Sequence, residues 1–147
     1  MENIALNRRA RFDYDIAETF EAGIELLGHE VKSARVGHMN IGGSHVIIRG
    51  GEAWLLNAII SPYQPLNTPN EYDPKRTRRL LLKKAEIESL VGRTKEKLSL
   101  IPLRAYIKNN LIKIELGVGK PRKKHDKREA LKKKTIESEM RRNISHS

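Results

Sequence analysis

Apolar and acidic residues alternate early in the chain, within residues 11–27. Phe12, Tyr14 and Ile16 occupy every second position, and aspartates lie between them. Because successive side chains of a strand point to opposite faces, a period of two is typical of a half-buried strand. The pattern therefore predicts a strand that begins in this segment.

The next segment, GHEVKSARVG at residues 28–37, has a different spacing. Val31, Ala34 and Arg35 fall on one face at helical spacing. Gly37 can supply the left-handed conformation that often follows the last turn of a helix. A two-turn helix is predicted here.

Two β-hairpins are indicated by turn residues between β-rich runs. The run SHVIIRGGEAWLLNAII, at residues 44–60, has Gly50 and Gly51 at its centre. Further along, the runs LSLIPLRAYIK and LIKIELGV are joined by Asn109 and Asn110. Glycine and asparagine tolerate the positive φ of a tight hairpin turn.

A helix is predicted between the two hairpins. Residues 61–73 hold three prolines and two asparagines, which is typical of a loop. Asp73 can then cap a helix that has Pro74 at its first position and ends near Gly92. Apolar residues recur at near-helical spacing along it, namely Leu80, Leu81, Ile87, Leu90 and Val91.

Together these elements predict a mainly β fold with helices. Hairpins that flank a helix suit a small closed barrel, which buries one face of the sheet and leaves no exposed edge. We interpret residues 1–118 as an oligonucleotide-binding-type (OB-fold-like) β-barrel and residues 119–147 as a basic C-terminal tail. A chain of 147 residues is long enough for one such domain with a real core.

The tail differs from the rest of the chain in composition. It carries eleven Lys and Arg against four Asp and Glu, whereas the first 118 residues carry eighteen against fourteen. Burial of so few apolar groups cannot offset the entropy of ordering, so we expect the tail to be disordered when free. Glu129 lies four residues before Lys133, and Ile136, Met140 and Ile144 recur every fourth residue, so the tail can become helical against a polyanion.

The formal net charge of +11 indicates a polyanionic partner, such as RNA, DNA or an anionic membrane. The chain has no cysteine, which excludes disulfides and thiolate metal sites and fits a reducing compartment. It shows no signal peptide and no long apolar run. We therefore expect a cytoplasmic protein that does not enter a membrane.

Catalytic and cofactor chemistry find little support in the sequence. The five histidines are scattered, so no metal site is expected, and the Gly-Gly pairs lack the spacing of a nucleotide-binding loop. His125 beside Asp126 could form a general base, but a flexible tail cannot hold it in place. No enzyme and no cofactor are expected.

The segment DPKRTRRLLL concentrates positive charge at the start of the predicted helix. Four cations, Arg76 and Arg78 among them, fall in its first turns, where the helix dipole disfavours them. A bound phosphate would relieve that conflict, and a solvated surface is the alternative. Seven aromatic residues are few for a single-strand stacking platform, which favours structured RNA held through its shape and backbone.

Four blocks in chain order resemble the small protein B family, the bacterial SsrA-binding proteins that bind transfer-messenger RNA. They are ALNRRARFDY from residue 5, FEAGIELLGHEVKSAR from residue 20, DPKRTRRLLL from residue 73 and KKHDKRE from residue 123. The likeness extends over nearly the whole chain. It implies an OB-type barrel with flanking helices and a basic tail that is helical on the ribosome.

The resemblance also implies a function. The barrel would bind the tRNA-like domain of transfer-messenger RNA and deliver it to stalled ribosomes for trans-translation, while the tail would probe the decoding centre and the empty mRNA channel. The implied partners are transfer-messenger RNA, the ribosome through its small-subunit rRNA and, through the RNA complex, elongation factor Tu. The protein would act as a monomer without catalytic chemistry.

Site residues follow from the family motifs. Glu21, Leu81 and Lys113 match family positions that contribute to transfer-messenger RNA binding. A carboxylate can accept from a base or a ribose hydroxyl, a leucine can pack on an unstacked base, and a lysine neutralises phosphate. The tail block that the family needs on the ribosome comprises Lys123, His125, Asp126, Lys127 and Arg128.

Two other classes of function stay open at this point. A ribosomal or general RNA-chaperone component would use the same barrel and tail without RNA selectivity, and its affinity would depend steeply on salt. An RNA-processing enzyme would act through His125 and Asp126 and would cleave structured RNA.

Overall fold

The protein is described by a computed structural model that covers residues 2–64, 66 and 71–123. The prediction of a mainly β fold with a few helices is confirmed. The strands are β1 (Glu2–Leu6), β2 (Tyr14–Ile24), β3 (Met39–Asn40), β4 (His45–Arg49), β5 (Glu52–Leu56), β6 (Ile59–Ile60), β7 (Arg78–Leu81), β8 (Ser99–Lys108) and β9 (Leu111–Pro121). The helices are α1 (Ala10–Asp13), α2 (Gly28–Arg35) and α3 (Lys84–Lys95).

Six of these strands form a ring. Antiparallel pairing runs in the order β8-β4-β5-β7-β2-β9, and β9 pairs again with β8 along most of its length. β1 also pairs with β8, and β3 pairs separately with β6. The ring gives each of its six strands a neighbour on both sides, although β4 and β8 meet only at Val46 and Leu100.

The inside of the ring is filled by aliphatic side chains from alternate strand positions. In β9, Ile112, Ile114 and Leu116 are buried, whereas the two residues between them are partly exposed. Ala34 of α2 and Leu90 of α3 have no exposed surface and pack in the same cluster. The two longer helices therefore share one core with the strands.

Both predicted hairpins are confirmed, with the turn residues in the expected conformation. Gly50 and Gly51 connect β4 to β5 with φ values of 61° and 74°. Asn109 and Asn110 connect β8 to β9 with φ values of 52° and 62°. Positive φ at both central positions matches the right-handed twist of the strands that such a turn joins.

The predicted first strand and first helix are also confirmed. β2 begins at Tyr14, directly after the short α1, and α2 covers the predicted segment. The Leu27 N–H donates to Glu30 Oε1 at 2.8 Å, which satisfies a free donor at the start of α2. The chain leaves α2 through Gly37, whose φ is 88°. Strands β1 and β3 and the short helix α1 were not predicted, and the end of the predicted run of residues 44–60 forms the separate short strand β6.

The predicted helix from Asp73 is wrong in its first part. Residues 75–77 are not helical, β7 follows them, and α3 begins only at Lys84 and extends to Lys95. Asp73 does cap a backbone N–H, that of Lys75 at 2.9 Å. That bond closes a turn instead of starting a helix, because aspartate side chains serve both purposes.

The alternation along β7 separates residues that the helical interpretation placed together. Arg78 and Leu80 are buried, Arg79 is partly buried, and Leu81 is exposed. A period of two in the segment RRLL was masked by the longer apolar run that follows it. The strand therefore directs Leu80 into the core and Leu81 to the outside of the ring.

Strand β9 continues three residues beyond Val118, the predicted last residue of the barrel. β9 continues to Pro121, which pairs with Tyr14 of β2. The Arg122 N–H donates to the Asp13 carbonyl at 2.8 Å, so the backbone stays attached to the body for one more residue. The folded body thus extends through residue 122, and most of the predicted tail lies outside the described residues.

Candidate nucleic-acid interface

Three residues from separate parts of the sequence lie together on the outer surface of the ring. Glu21 of β2, Leu81 of β7 and Lys113 of β9 line one shallow depression with a volume of about 530 Å³. They converge because β2 lies between β7 and β9 in the ring. The structure thus brings together the three residues that the family motifs predict for RNA binding. We call this surface the Lys113 depression.

Leu81 gives the Lys113 depression an apolar part. Its side chain is 47% exposed. It lies opposite Gly23 of β2, and a Cβ added to Gly23 would lie 3.2 Å from the Leu81 Cβ. The glycine therefore leaves room for the leucine. An exposed aliphatic surface beside charged groups suits contact with an unstacked base.

Glu21 is held in its ionised form by its neighbours. The Tyr106 hydroxyl donates to the Glu21 carboxylate, and Lys108 Nζ lies 3.3 Å from the same group. The Tyr106 hydrogen bond and the charges of Lys108 and Lys113 lower the pKa of Glu21 below its ordinary value. Burial and the Glu21 carboxylate raise the pKa of Tyr106 to about 12. At neutral pH the depression offers a carboxylate acceptor beside an ammonium donor.

Arg79 and Lys83 also line the Lys113 depression. Arg79 is one of the four cations of the segment DPKRTRR that the sequence analysis grouped without singling it out, and Lys83 was not considered. Arg79 points outward from β7, and its Nε and Nη2 each lie 3.0 Å from a carboxylate oxygen of Glu52. That hydrogen bonding raises the pKa of Arg79 above its ordinary value. The signal that could have found Arg79 is the strand period, which puts it on the same face as Leu81.

Arg78 was predicted to contact phosphate, and this prediction is wrong. Its side chain is fully buried. Its guanidinium binds the Glu30 carboxylate and donates to the carbonyl oxygens of Ala58, Pro74 and Arg76. All its donors face other protein groups, because the inward side of β7 carries it into the core. Arg78 therefore has no surface to offer to RNA.

Arg76 is partly exposed, but its guanidinium also donates hydrogen bonds to the buried Glu30 carboxylate. Its Nε lies 3.1 Å from Glu30 Oε2, and its Nη2 binds Glu30 Oε1. Its side chain is 30% exposed. Residues 75–77 are not helical, so the conflict with a helix dipole that favoured phosphate here does not exist. The argument for a phosphate at Arg76 therefore loses its premise.

Glu30 is the centre of a buried polar cluster that positions β7. Its carboxylate has no exposed surface and accepts from Arg76, Arg78 and the Tyr72 hydroxyl, the last at 2.9 Å. Burial alone would raise its pKa, but hydrogen bonds from Arg76, the Leu27 N–H and Arg78 hold the pKa of Glu30 at about 2. These bonds tie α2 to β7 and to the loop before it. We call these four side chains the Glu30 cluster.

A second basic depression lies at the other end of β2 and β9. It has a volume of about 630 Å³ and is lined by Arg8, Arg9, Asp13 and His45, among others, and Arg9 forms an ion pair with Asp13 at 3.4 Å. Tyr14 also lines it and pairs with Pro121, the last residue of β9. The chain therefore leaves the ring beside a positively charged surface.

Only the first residue of the predicted ribosome-binding block is part of the described chain. Lys123 is exposed and lies just after the end of β9. The other predicted tail residues lie outside the described residues, namely His125, Asp126, Lys127 and Arg128. The structure therefore leaves their roles as predictions.

Residues 2–64, 66 and 71–123 contain no group of three or more His, Cys, Asp or Glu side chains that could hold a metal ion. None of the helices in that part of the chain is long and apolar enough to cross a membrane.

Comparison with known proteins places this arrangement in a family. A family model described as SmpB protein matches residues 4–146. The SsrA-binding protein of Halothermothrix orenii is 51% identical over 140 residues, which cover 95% of this chain and 90% of the relative. The SsrA-binding protein of Gloeothece citriformis is 49% identical over 137 residues, which cover 92% of this chain and 88% of the relative.

A solved structure agrees with these sequence matches. A chain of "tmRNA-SmpB: a journey to the center of the bacterial ribosome" aligns with a TM-score of 0.67 and 41% sequence identity. The alignment covers 86% of this chain and 92% of that chain. The likeness in sequence and in structure extends over most of both partners, so this chain belongs to the SmpB protein family.

Proposed function

We propose that this chain binds the tRNA-like domain of transfer-messenger RNA and delivers it to stalled ribosomes for trans-translation. The relatives carry the name SsrA-binding protein, and the aligned structure is of tmRNA-SmpB in the bacterial ribosome. The observation that carries the proposal is the meeting of Glu21, Leu81 and Lys113 in one depression. They combine a hydrogen-bond acceptor, an apolar surface and a cation, which structured RNA can engage through ribose, base and phosphate.

We also propose that the ring of strands is an OB-type barrel and that the tail after Lys123 is disordered until it meets RNA. The ring has six strands, and side chains fill its interior, as they do in small closed barrels. The charge of the tail supports its disorder when free, as argued from the sequence. On the ribosome the tail would become helical and probe the decoding centre and the empty mRNA channel.

Further details belong to the same proposal. The protein would work by binding rather than by catalysis, as a monomer in the cytoplasm, with elongation factor Tu as a partner through the RNA complex. The basic depression with Arg8, Arg9 and His45 lies where the tail leaves the body. It would give the ribosome-facing end a second contact with rRNA phosphates, since cations there attract a polyanion.

Selective binding is the direct test of this function. Purified protein should bind the isolated tRNA-like domain of transfer-messenger RNA far more tightly than it binds an elongator tRNA of similar length at the same salt concentration. Equal affinities for the two RNAs would support a general RNA chaperone instead. Cleavage of labelled structured RNA that His125→Ala abolishes would support an enzyme.

Lys113→Ala should weaken binding of the tRNA-like domain roughly tenfold, about 1.4 kcal/mol, because one charge-assisted contact is lost. The slope of log affinity against log salt should become shallower by about 0.7 to 0.9, since one fewer counterion is released. Filter binding at several salt concentrations measures both quantities. Lys120→Ala is the matched control, because Lys120 is an exposed lysine near the other end of the same strand. Equal effects of the two variants would argue against a specific site.

Neutralising Asp126, Lys127 and Arg128 together should leave affinity for the tRNA-like domain within about twofold of the unchanged protein. Tagging of stalled peptides should be lost, because the tail would act only after the RNA is bound. A reconstituted translation reaction on a message without a stop codon measures tagging. If the triple variant failed to bind the RNA itself, the division of labour between body and tail would be wrong.

A further inference from the structure

The Lys113 depression continues into a second groove that the family motifs do not mention. This groove has a volume of about 190 Å³ and shares Gly23, Leu81 and Lys113 with the depression. Its other walls are mainly aliphatic and come from the end of β2, from α2 and from the start of β9, namely Ile24, Leu26, Val31, Leu111 and Ile112. The two hollows form one continuous surface, charged on one side and apolar on the other.

Two exposed leucines flank this groove from different strands. Leu81 is 47% exposed, and Leu111 is 58% exposed. Leu111 directly follows the turn between β8 and β9, and it lines the groove together with Leu81. Contiguous exposed apolar surface of this kind commonly marks a binding site.

Charge surrounds the apolar groove on two sides. Lys113 belongs to its wall, and Arg35 of α2 donates through Nη2 to the Asn110 carbonyl at 2.8 Å. An apolar peptide would gain little from these cations. A nucleotide matches both the aliphatic walls and the nearby cations, since its base presents a flat apolar face and its phosphate is an anion. Both the volume and the charge of the groove therefore favour a single nucleotide.

We propose that this groove takes one nucleobase that is unstacked from a loop of the bound RNA. Leu81 and Leu111 pack on the two sides of the base, and Lys113 neutralises the adjoining phosphate. Asn110 also lines the groove, and a side-chain amide can both donate to and accept from the edge of a base. This inference rests on the proposed RNA-binding function, and it adds a base-reading subsite to it.

A double-mutant cycle between protein and RNA tests the subsite. Each loop nucleotide of the tRNA-like domain is replaced in turn by an abasic residue, and its affinity is measured with the unchanged protein and with Leu111→Ala. Leu111→Ala should weaken binding to the unmodified RNA roughly five- to tenfold, as expected when contact with one base is lost. At one loop position the abasic RNA should bind both proteins with the same weakened affinity, because the base is already missing.

Leu27→Ala is the matched control, since Leu27 is a comparably exposed leucine at 47% and lines neither the groove nor the two depressions. It should leave the affinity unchanged. The inference is overturned if Leu111→Ala binds as tightly as the unchanged protein, or if its effect adds to that of every abasic substitution. Failure of the unchanged protein to prefer the tRNA-like domain over elongator tRNA would instead overturn the proposed function. The two failures are therefore distinguishable.

Discussion

Glu30→Gln should lower the free energy of unfolding by about 3 to 5 kcal/mol, the cost of removing one charge from a buried ion pair. The substitution keeps the size of the side chain but removes the negative charge that faces Arg76 and Arg78. An amide would also turn a donor toward guanidinium groups that can only donate. Urea unfolding followed by circular dichroism measures the loss.

Glu25→Gln is the control for the charge change alone. Glu25 is 64% exposed, and its contact with Arg79 is 3.7 Å long. Exposed ion pairs of this kind contribute about 0 to 1 kcal/mol, so the control should unfold almost as the unchanged protein does. If both variants lost similar stability, the Glu30 cluster would not stabilise the contact between α2 and β7 as its geometry indicates.

The effect of Glu30→Gln should depend on pH in a defined direction. Because the folded state holds the pKa of Glu30 at about 2, below the ordinary value of 4.5, ionised Glu30 stabilises the fold above about pH 4.5. That contribution disappears as the pH falls from 4.5 toward 2. The difference in unfolding free energy between the unchanged protein and the variant should therefore shrink over this range.

Gly119→Ala should destabilise the protein by about 3 kcal/mol, at the upper end of the usual cost of overpacking. A Cβ at this position would lie 2.3 Å from the Asp15 carbonyl oxygen and 3.1 Å from the Ile16 Cα. Both are backbone atoms of β2, which cannot rotate away as a side chain does. The end of β9 would have to separate from β2, and urea unfolding measures the cost.

Gly117→Ala is the matched control for Gly119→Ala. It makes the same change two residues earlier in β9, but its Cβ would meet only side-chain carbons of Leu103, at 3.0 to 3.1 Å. A side chain can shift by a few tenths of an ångström, so we expect a loss of about 1 kcal/mol. Equal losses would show that strand propensity decides the result, rather than contact with the backbone.

Much of the fold could be predicted because local signals and tertiary structure agree. Gly50, Gly51, Asn109 and Asn110 specify tight turns whatever surrounds them, so both hairpins were found. The switch from period two to helical spacing located α2. The closing of the ring depends on contacts between distant strands, such as β8 with β4, and no local pattern encodes it.

The error at β7 has a physical cause. Asp73, Pro74 and the leucines after them satisfy local rules for a helix, but the buried Glu30 carboxylate draws Arg78 inward and β7 completes the ring. Tertiary pairing overrides local preference in such a case. The same cause explains why Arg78 was taken for a surface residue. The charge that favoured phosphate contact is instead matched within the core.

The family motifs identified three residues of the candidate site, but they did not predict that these residues lie together in space. No spacing in the sequence indicates that Glu21, Leu81 and Lys113 should meet, because the chain separates them widely and only the order of strands in the ring unites them. For the same reason Leu111 was missed, and Arg79 was not distinguished from the other cations near it. Each becomes notable only when its exposed side is known.

The continuous pairing of β9 sets the distance between the Lys113 depression and the point where the chain leaves the ring. Lys113 lies near its start and Pro121 at its end, and the eight residue-to-residue steps from one to the other span roughly 26 Å. Since β2 and β8 pair with it on either side, inserting or deleting one residue would reverse every later side chain. Two inserted residues would instead keep each later side chain on its present side and would lengthen this spacing by roughly 7 Å.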